Sequence, residues 1–255
     1  MNINLEKELK DHRLHGLLKN IGNIISDKNL LEAAKIFMKW ESHERKERKL
    51  NTGIQKTRLK KYGKFDSIQD FDWSWPKNID KEIILELFNL KFIEEKSNVV
   101  LLGPNGVGKT MIAKNLVHVA ASSGFHAVFV EAADLLDDLV SEEKHGFIRV
   151  SLDKYYKPDL LAIDEVGYLS YNARQADLLF QLFHKRALNK STIITTNHSF
   201  SEWSGLFPNS ASVNALIDRL IERCELIQIE ADTYRGKKFT ERKELKLKSL
   251  QKIKK

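Results

Sequence analysis

The sequence has 255 residues, of which 42% are hydrophobic and 30% charged, and it carries a formal net charge of +7. These values suit one α/β domain with a smaller appendage, and no stretch is apolar enough to predict a membrane-spanning helix. The polar first ten residues do not resemble a signal peptide, and the single cysteine, Cys224, excludes an internal disulfide and a cysteine-rich zinc site. We therefore expect a cytoplasmic protein with no membrane partner.

Positive charge is concentrated in two segments. Residues 45–64 contain nine Lys or Arg and one Glu, and residues 236–255 contain nine Lys or Arg and two Glu. The rest of the chain is therefore net acidic. Segregated positive charge is typical of proteins that bind polyanions, so both segments are candidates for DNA contact. The alternative is that Lys-rich ends only increase solubility.

The first 64 residues predict a small helical domain followed by a basic linker at 51–64. Glycine and proline are rare before residue 51, and we expect two or three short helices there. Apolar residues recur at helical spacing at Leu14, Leu17, Leu18, Ile21, Leu30, Ala33, Ala34 and Phe37. An aromatic-rich segment, 71–76, follows the linker. Such a cluster usually closes one edge of a core, although beside a phosphate-binding loop it can also wall an adenine pocket.

From residue 98 onward, short apolar segments alternate with amphipathic ones. Strands are predicted at 98–102, 127–130, 160–163, 192–195 and 226–229, and helices at 109–122, 133–141, 173–188 and 213–224. This alternation predicts an α/β fold with a five-stranded, mainly parallel sheet flanked by helices. Ligands of such sheets bind at the carboxyl ends of the strands, and every motif described below falls at a strand end or on a following helix.

Residues 103–110 read Gly-Pro-Asn-Gly-Val-Gly-Lys-Thr, directly between the first predicted strand and the next helix. This is a P-loop, in which glycines let successive backbone N–H groups form a nest for phosphate. The loop residues before the lysine are Gly103, Pro104, Asn105, Gly106, Val107 and Gly108. We expect Lys109 to reach the β- and γ-phosphates of ATP and Thr110 to coordinate Mg²⁺. The strand before the loop and the helix after it argue against a chance match.

Two other strand ends carry polar residues. Asp164 and Glu165 end the third predicted strand and form a Walker B element, in which Asp164 holds Mg²⁺ and Glu165 polarises the attacking water. The alternative is an acidic turn with no catalytic role. Asn197 follows the fourth strand, and we expect it to hydrogen-bond the γ-phosphate or the attacking water. The alternative for Asn197 is a turn asparagine before a helix.

Arg219 lies among apolar residues on the last predicted helix. One interpretation is a surface pair with Asp218, which contributes little energy. The other is an arginine finger that reaches the ATP of a neighbouring subunit, since the planar guanidinium matches phosphate oxygens. The periodicity of the helix does not choose between the two.

At these residues the chain resembles the IstB-like helper ATPases of insertion-sequence transposition, which belong to the AAA+ branch of the helicase loaders DnaC and DnaI. Besides the P-loop, the resemblance rests on the segments 70–74, 163–168, 176–181, 195–197, 200–203, 218–220 and 234–235. The chain departs from the family at Pro104-Asn105-Gly106-Val107-Gly108, where members commonly have Pro-Pro-Gly-Thr-Gly. Its linker also mixes Lys, Arg and Tyr62, where the family linker is usually Arg-rich.

The resemblance implies an ATPase that binds ATP at the subunit interfaces of a homo-oligomer, assembles on double-stranded DNA and helps a partner transposase to engage its target. It implies that Asn197 is sensor 1, that Arg219 acts as the arginine finger in trans, and that Arg235 approaches the nucleotide. The expected division is a helical domain and linker at 1–64, an AAA+ domain at 65–235 and a basic tail at 236–255. A DnaC-like helicase loader is the main alternative function. A small-molecule kinase is a weaker third alternative, because it would give the basic segments no function.

Overall fold

The computed structural model describes residues 5–144, 148–168, 170–207, 210–232, 234, 236–237 and 243. The chain forms two compact units, Met1–Thr52 and Gly53–Lys255. Among the described residues, no helix has both the length and the apolar character needed to cross a membrane.

The first unit is helical, as the sequence predicts, but its last helix is long. It contains α1 (Leu5–Asp11), α2 (His15–Lys19), α3 (Ile21–Ser26) and most of α4 (Lys28–Lys56). Leu5, Leu9 and Met38 are buried in its small core. The expectation of only short helices was wrong for α4, because residues 28–52 contain no proline or glycine to end a helix.

The second unit is built on a five-stranded sheet. Its strands are β1 (Asn98–Leu102), β2 (Ala127–Glu131), β3 (Leu160–Asp164), β4 (Ser191–Thr196) and β5 (Cys224–Gln228). Their order is β2-β3-β4-β1-β5, and every neighbouring pair is parallel. The predicted fold class is therefore confirmed. Because β4 lies between β1 and β3, the strand that precedes Asn197 separates the P-loop strand from the Walker B strand.

Helices precede and connect these strands. They are α5 (Lys81–Leu87), α6 (Lys91–Glu94), α7 (Lys109–Ser122), α8 (Ala132–Lys144), α9 (Ile148–Tyr156), α10 (Ala173–Arg186), α11 (Phe200–Leu206) and α12 (Ser210–Ile221). The prediction for α7 matches both of its ends. The last helix ends three residues earlier than predicted, because Cys224 pairs with Asn98 and already belongs to β5.

The basic segment 51–64 differs from the predicted linker. After α4 ends at Lys56, a 3-10 helix covers Leu59–Tyr62, and both of its end residues are buried in the core of the second unit. The carbonyl of Thr57 also accepts a hydrogen bond of 2.9 Å from the N–H of Phe129 on β2. The segment therefore covers the outer edge of β2, where backbone groups would otherwise lack partners.

A buried arginine fixes the amino ends of two central strands. Arg186, at the end of α10, is 1% exposed and donates hydrogen bonds to the carbonyls of Tyr155, Pro158 and Ser191. Burial lowers the pKa of its guanidinium to about 9. These bonds fix the residues just before β3 and at the start of β4. The position of both amino ends in turn sets where the carboxyl ends of β3 and β4 lie.

Candidate nucleotide site

A cleft of about 710 Å³ opens at the carboxyl ends of β1, β3 and β4. Its lining includes most of the predicted site residues: Asn105, Gly106, Val107, Gly108, Lys109, Thr110, Glu165 and Asn197. Gly103 and Pro104 contribute backbone carbonyls beneath the loop. The sequence placed these residues on three separate strand ends, and the parallel sheet brings them to one edge.

Two glycines of the P-loop are required by close packing. A Cβ atom on Gly103 would lie 2.3 Å from the carbonyl oxygen of Ile229, and one on Gly108 would lie 2.4 Å from Cε2 of Phe71. Gly108 also has a φ of 106°, which L side chains rarely adopt. The loop is thus held between the chain that follows β5 and the aromatic segment that precedes β1.

Lys109 is the buried cation of the P-loop. Its Nζ donates hydrogen bonds to the carbonyls of Gly103 at 2.7 Å and Pro104 at 2.8 Å. Burial lowers the pKa of Lys109, while the charges of Asp164 and Glu165 act in the opposite direction. Because neutral carbonyls compensate a buried ammonium only in part, the phosphates of a nucleotide would be stronger partners for it.

Asp164 links the P-loop to β3 and β4. Its Oδ1 accepts a hydrogen bond of 3.1 Å from the hydroxyl of Thr110 and a shorter one from the hydroxyl of Thr195. The side chain is almost fully buried, and this burial raises the pKa of the carboxyl despite the two hydrogen bonds. The sequence motifs predict that Thr110 and Asp164 hold Mg²⁺, but no motif indicates a role for Thr195.

The donor set at Asp164 fits the expected metal. A carboxylate oxygen and a threonine hydroxyl lie within hydrogen-bonding distance of each other at the mouth of the P-loop. Mg²⁺ prefers oxygen ligands and is commonly held by one or two carboxylates together with substrate phosphates. Thr110 and Asp164 are therefore the residues that would hold it.

Glu165 adopts a strained backbone conformation at the end of β3. Its φ is 60°, and its N–H donates a 2.9 Å hydrogen bond to the hydroxyl of Thr195. Its side chain is exposed and faces the cleft, whereas that of Asp164 is buried. The left-handed turn thus separates two adjacent carboxylates, one buried beside Thr110 and the other directed to the open cleft.

Asn197 and Arg219 have different positions. Asn197 is exposed and lines the cleft. Arg219 is exposed on α12, is absent from the described lining of the cleft, and hydrogen-bonds through its guanidinium to Nδ1 of His184 on α10. Its own subunit's site therefore does not use it in this structure. Arg235 lies outside the described residues.

Two residues of α7 at or near the cleft belong to no sequence motif. Lys114 lines the cleft and donates a hydrogen bond to the carbonyl of Tyr62. Asn115, also on α7, donates to the carbonyl of Asp66 and accepts from the N–H of Ile68. The segment before Phe71 is thus fixed to the P-loop helix. No motif marks these residues, and only their spacing after Lys109 relates them to the site.

The aromatic segment packs on the core, as its composition predicts, and also lines the cleft. Phe71 and Trp73 pack against the core with ring centroids 4.6 Å apart. Phe71 and Trp75 also line the cleft, together with Tyr234 from the chain after β5. The distance of Tyr234 from this segment in the sequence explains why sequence reasoning did not connect them.

The known proteins that resemble this chain in sequence include ATP-binding proteins of insertion sequences. A sequence profile described as IstB-like ATP binding protein matches residues 8–242. An ATP-binding protein of insertion sequence IS232 from Bacillus thuringiensis subsp. berliner is 31% identical over 235 residues, which cover 91% of this chain and 94% of that protein. The ATP-binding protein of insertion sequence IS5376 from Geobacillus stearothermophilus is 33% identical over 192 residues, which cover 75% of this chain and 75% of that protein.

Solved structures share the fold of the second unit. The DnaC helicase loader matches with a TM-score of 0.52 and 24% identity, over 61% of this chain and 93% of that one. DnaI matches with a TM-score of 0.54 and 20% identity, over 64% of this chain and 90% of that one. At these identities the likeness concerns the fold alone.

Proposed function

Because the chain belongs to the family of IstB-like ATP-binding proteins and is an AAA+ ATPase, we propose that it assembles on double-stranded DNA with ATP at its subunit interfaces and assists a partner transposase. The observation that carries this proposal is the joint position of the P-loop, Glu165 and Asn197 around one cleft, with Asp164 hydrogen-bonded to Thr110 and Arg219 bonded to His184 instead. A site with every element except an arginine finger suits completion by a second subunit.

Different residues at the cleft have different roles in ATP hydrolysis. The P-loop N–H groups and Lys109 bind the phosphates, and Thr110 and Asp164 hold Mg²⁺, which neutralises charge on the phosphates when bound. Glu165 accepts a proton from the attacking water, and its exposed carboxylate is free of the buried hydrogen bonds that engage Asp164. Asn197 orients the water or the terminal phosphate.

The position of Arg219 supports its action in trans. Arg219 is exposed on α12 and hydrogen-bonds His184, whose ring stacks on that of Phe180 with centroids 5.9 Å apart. An arginine finger contributes only when an oligomer forms, so ATP hydrolysis would depend on assembly.

DNA contact is proposed for the basic segments, although not for all of their charges equally. Lys61 forms an ion pair of 2.6 Å with Asp134, and Arg58 lies 3.6 Å from Asp138. Within the described part of the chain, no ion pair involves Lys56 or Lys60, which are both exposed. These two lysines are therefore the better candidates for phosphate contact. Lys154, a cation on α9 outside these segments, is already paired with Asp138 at 2.6 Å and is a weaker candidate.

The partner is proposed to be a transposase rather than a replicative helicase. The relatives described above are ATP-binding proteins of insertion sequences, and one of them matches over nearly the whole of both chains. The likeness to DnaC and DnaI concerns the fold alone, and it is equally expected of either function.

The decisive experiment measures assembly on duplex DNA by analytical ultracentrifugation, with a non-hydrolysable ATP analogue, with ADP and without nucleotide. We expect oligomers on DNA only with the ATP analogue. A transposase encoded beside this gene should then be retained by the DNA-bound oligomer in a pull-down assay, whereas a replicative helicase should not. Monomeric protein in all three conditions would contradict the proposal.

A further inference from the structure

The cleft has an aromatic wall beside the phosphate-binding loop. Trp75 and Tyr234 both line it, and their ring centroids lie 6.0 Å apart with an angle of 67° between the planes. Phe71 and Pro76 extend this wall. Flat aromatic faces next to a phosphate site suit the π-face of a purine base, and stacking of this kind contributes strongly to nucleotide binding.

Backbone contacts hold the chain after β5 against this wall. The N–H of Tyr234 donates a 3.1 Å hydrogen bond to the carbonyl of Gly106 in the P-loop. The indole N–H of Trp75 donates a 2.9 Å hydrogen bond to the carbonyl of Asp232. Asp232 and Tyr234 are thus attached to the aromatic segment and to the P-loop, respectively.

An ion pair supports the same arrangement. Nζ of Lys237 lies 2.9 Å from Oδ2 of Asp72, 4.6 Å from the ring centroid of Trp75 and 5.3 Å from that of Tyr234. The side chains of Lys237 and Asp72 are only 27% and 26% exposed. One lysine therefore contacts both rings of this wall and a carboxylate, in a position partly protected from water.

The carboxylate of this pair is itself fixed. Oδ1 of Asp72 accepts a 2.6 Å hydrogen bond from the hydroxyl of Ser74. The hydrogen bonds from Ser74 and Lys237 lower the pKa of Asp72 to about 2. Asp72 is thus ionised at neutral pH, and Lys237 has a defined charged partner.

We propose that Trp75 and Tyr234, packed edge to face, form one wall of a purine-base pocket and that the Asp72–Lys237 ion pair supports base affinity by fixing the relative position of the two rings. This inference rests on the proposed nucleotide-binding function and adds to it the residues that recognise the base. It also assigns Lys237, the first cation of the basic segment 236–255, to the nucleotide site rather than to DNA.

The test separates base recognition from phosphate binding. Titration calorimetry with Mg²⁺ compares ATP with inorganic tripolyphosphate, which has the phosphates but no base. For Lys237→Met and Asp72→Asn we expect ATP affinity to fall about fivefold, the scale of a partly buried ion pair, and tripolyphosphate affinity to stay unchanged. Trp75→Leu should lower ATP affinity about tenfold and should likewise leave tripolyphosphate affinity unchanged.

Matched variants control for indirect effects. Lys157→Met removes a lysine from an exposed pair with Asp153 and should alter neither affinity. Trp75→Phe keeps an aromatic face and should retain more ATP affinity than Trp75→Leu. The charge-reversed double variant, Asp72→Lys with Lys237→Asp, should recover part of the loss.

Two results would overturn the inference: an equal loss of affinity for both ligands, or no loss for either in the Lys237 and Asp72 variants. If the wild-type protein bound neither ligand, the nucleotide-binding proposal would fail instead. Circular dichroism melts of each variant establish that the titrated protein is folded.

Discussion

The hydroxyl of Thr110 lies 3.1 Å from Oδ1 of Asp164, so the last residue of the P-loop and the last residue of β3 form one oxygen pair. Thr195 on β4 hydrogen-bonds the same carboxylate oxygen. Three elements thus converge on a single buried carboxylate, and the relationship predicts how this carboxylate affects both stability and catalysis.

Asp164→Asn should stabilise the nucleotide-free protein while abolishing Mg²⁺-dependent hydrolysis. Burial raises the pKa of Asp164 above its ordinary value, so the folded state holds this proton more tightly than the unfolded state. Its contribution to stability is fully present below the ordinary pKa and is lost as pH rises through the folded pKa. At neutral pH, asparagine removes this buried charge and keeps an acceptor for Thr110 and Thr195.

Thermal melts from pH 4 to pH 8 measure the first effect, and steady-state ATPase assays the second. Asp153→Asn, which alters an exposed carboxylate, serves as the control. A lower melting temperature together with normal Mg²⁺-dependent turnover would contradict both assignments of Asp164.

Lys109→Met should eliminate ATP binding without reducing stability. The ammonium is buried against two carbonyls, and burial lowers its pKa, so the folded protein gains little from holding it there. The phosphates would lose the cation at the centre of the loop. Titration of a fluorescent ATP analogue measures the loss, with Lys157→Met as the control. Parental affinity in Lys109→Met would exclude the phosphate role.

Glu165→Gln should bind ATP but hydrolyse it about a hundredfold more slowly, the usual scale for a lost general base. Its φ of 60° allows a second comparison. Glu165→Gly should be equally inactive yet more stable than Glu165→Gln by about 1 kcal/mol, because glycine adopts this conformation without strain. Single-turnover kinetics and thermal melts measure the two effects. Near-normal hydrolysis by either variant would remove Glu165 from the mechanism.

Arg219→Ala should bind ATP yet fail to hydrolyse it. Mixed with Lys109→Ala, which has an inactive pocket and an intact finger, it should recover part of the ATPase activity, because each subunit supplies what its neighbour lacks. Lys185→Ala, on the neighbouring α10, is a control for loss of positive charge near this surface. No recovery at any ratio, with mixed assembly confirmed by crosslinking, would argue against action in trans.

Lys56→Gln with Lys60→Gln should flatten the dependence of DNA affinity on salt more than Arg58→Gln with Lys61→Gln. Each lysine that neutralises a phosphate contributes about −0.9 to the slope of log K against log salt on duplex DNA. Arg58 and Lys61 already face Asp138 and Asp134. Salt series with a non-hydrolysable ATP analogue give the slopes. Equal slopes in both double variants and the wild type would make this segment a solubility feature.

The tertiary structure revised the expectation for the segment from Asn51 to Lys64. Its lysines and arginines predict a basic linker, and the structure adds that Leu59 and Tyr62 are buried beside β2. Two apolar residues among many charges give no periodic signal, and their burial depends on the open edge of a sheet that forms 70 residues later. Tyr234 joins the cleft for a similar reason, since its N–H hydrogen-bonds the carbonyl of Gly106 in the P-loop.

The sequence by itself determined the ATP-binding loop, the Walker B carboxylates, the strand-helix alternation and both ends of α7, because these depend on local backbone geometry and on hydrophobic spacing. Only the tertiary structure decided that Thr195 shares the carboxylate of Asp164, that Arg219 points away from its own cleft, and that Lys237 contacts Trp75. Those relationships join residues from separate strands and helices. They depend on strand order and packing, which no local pattern in the sequence encodes.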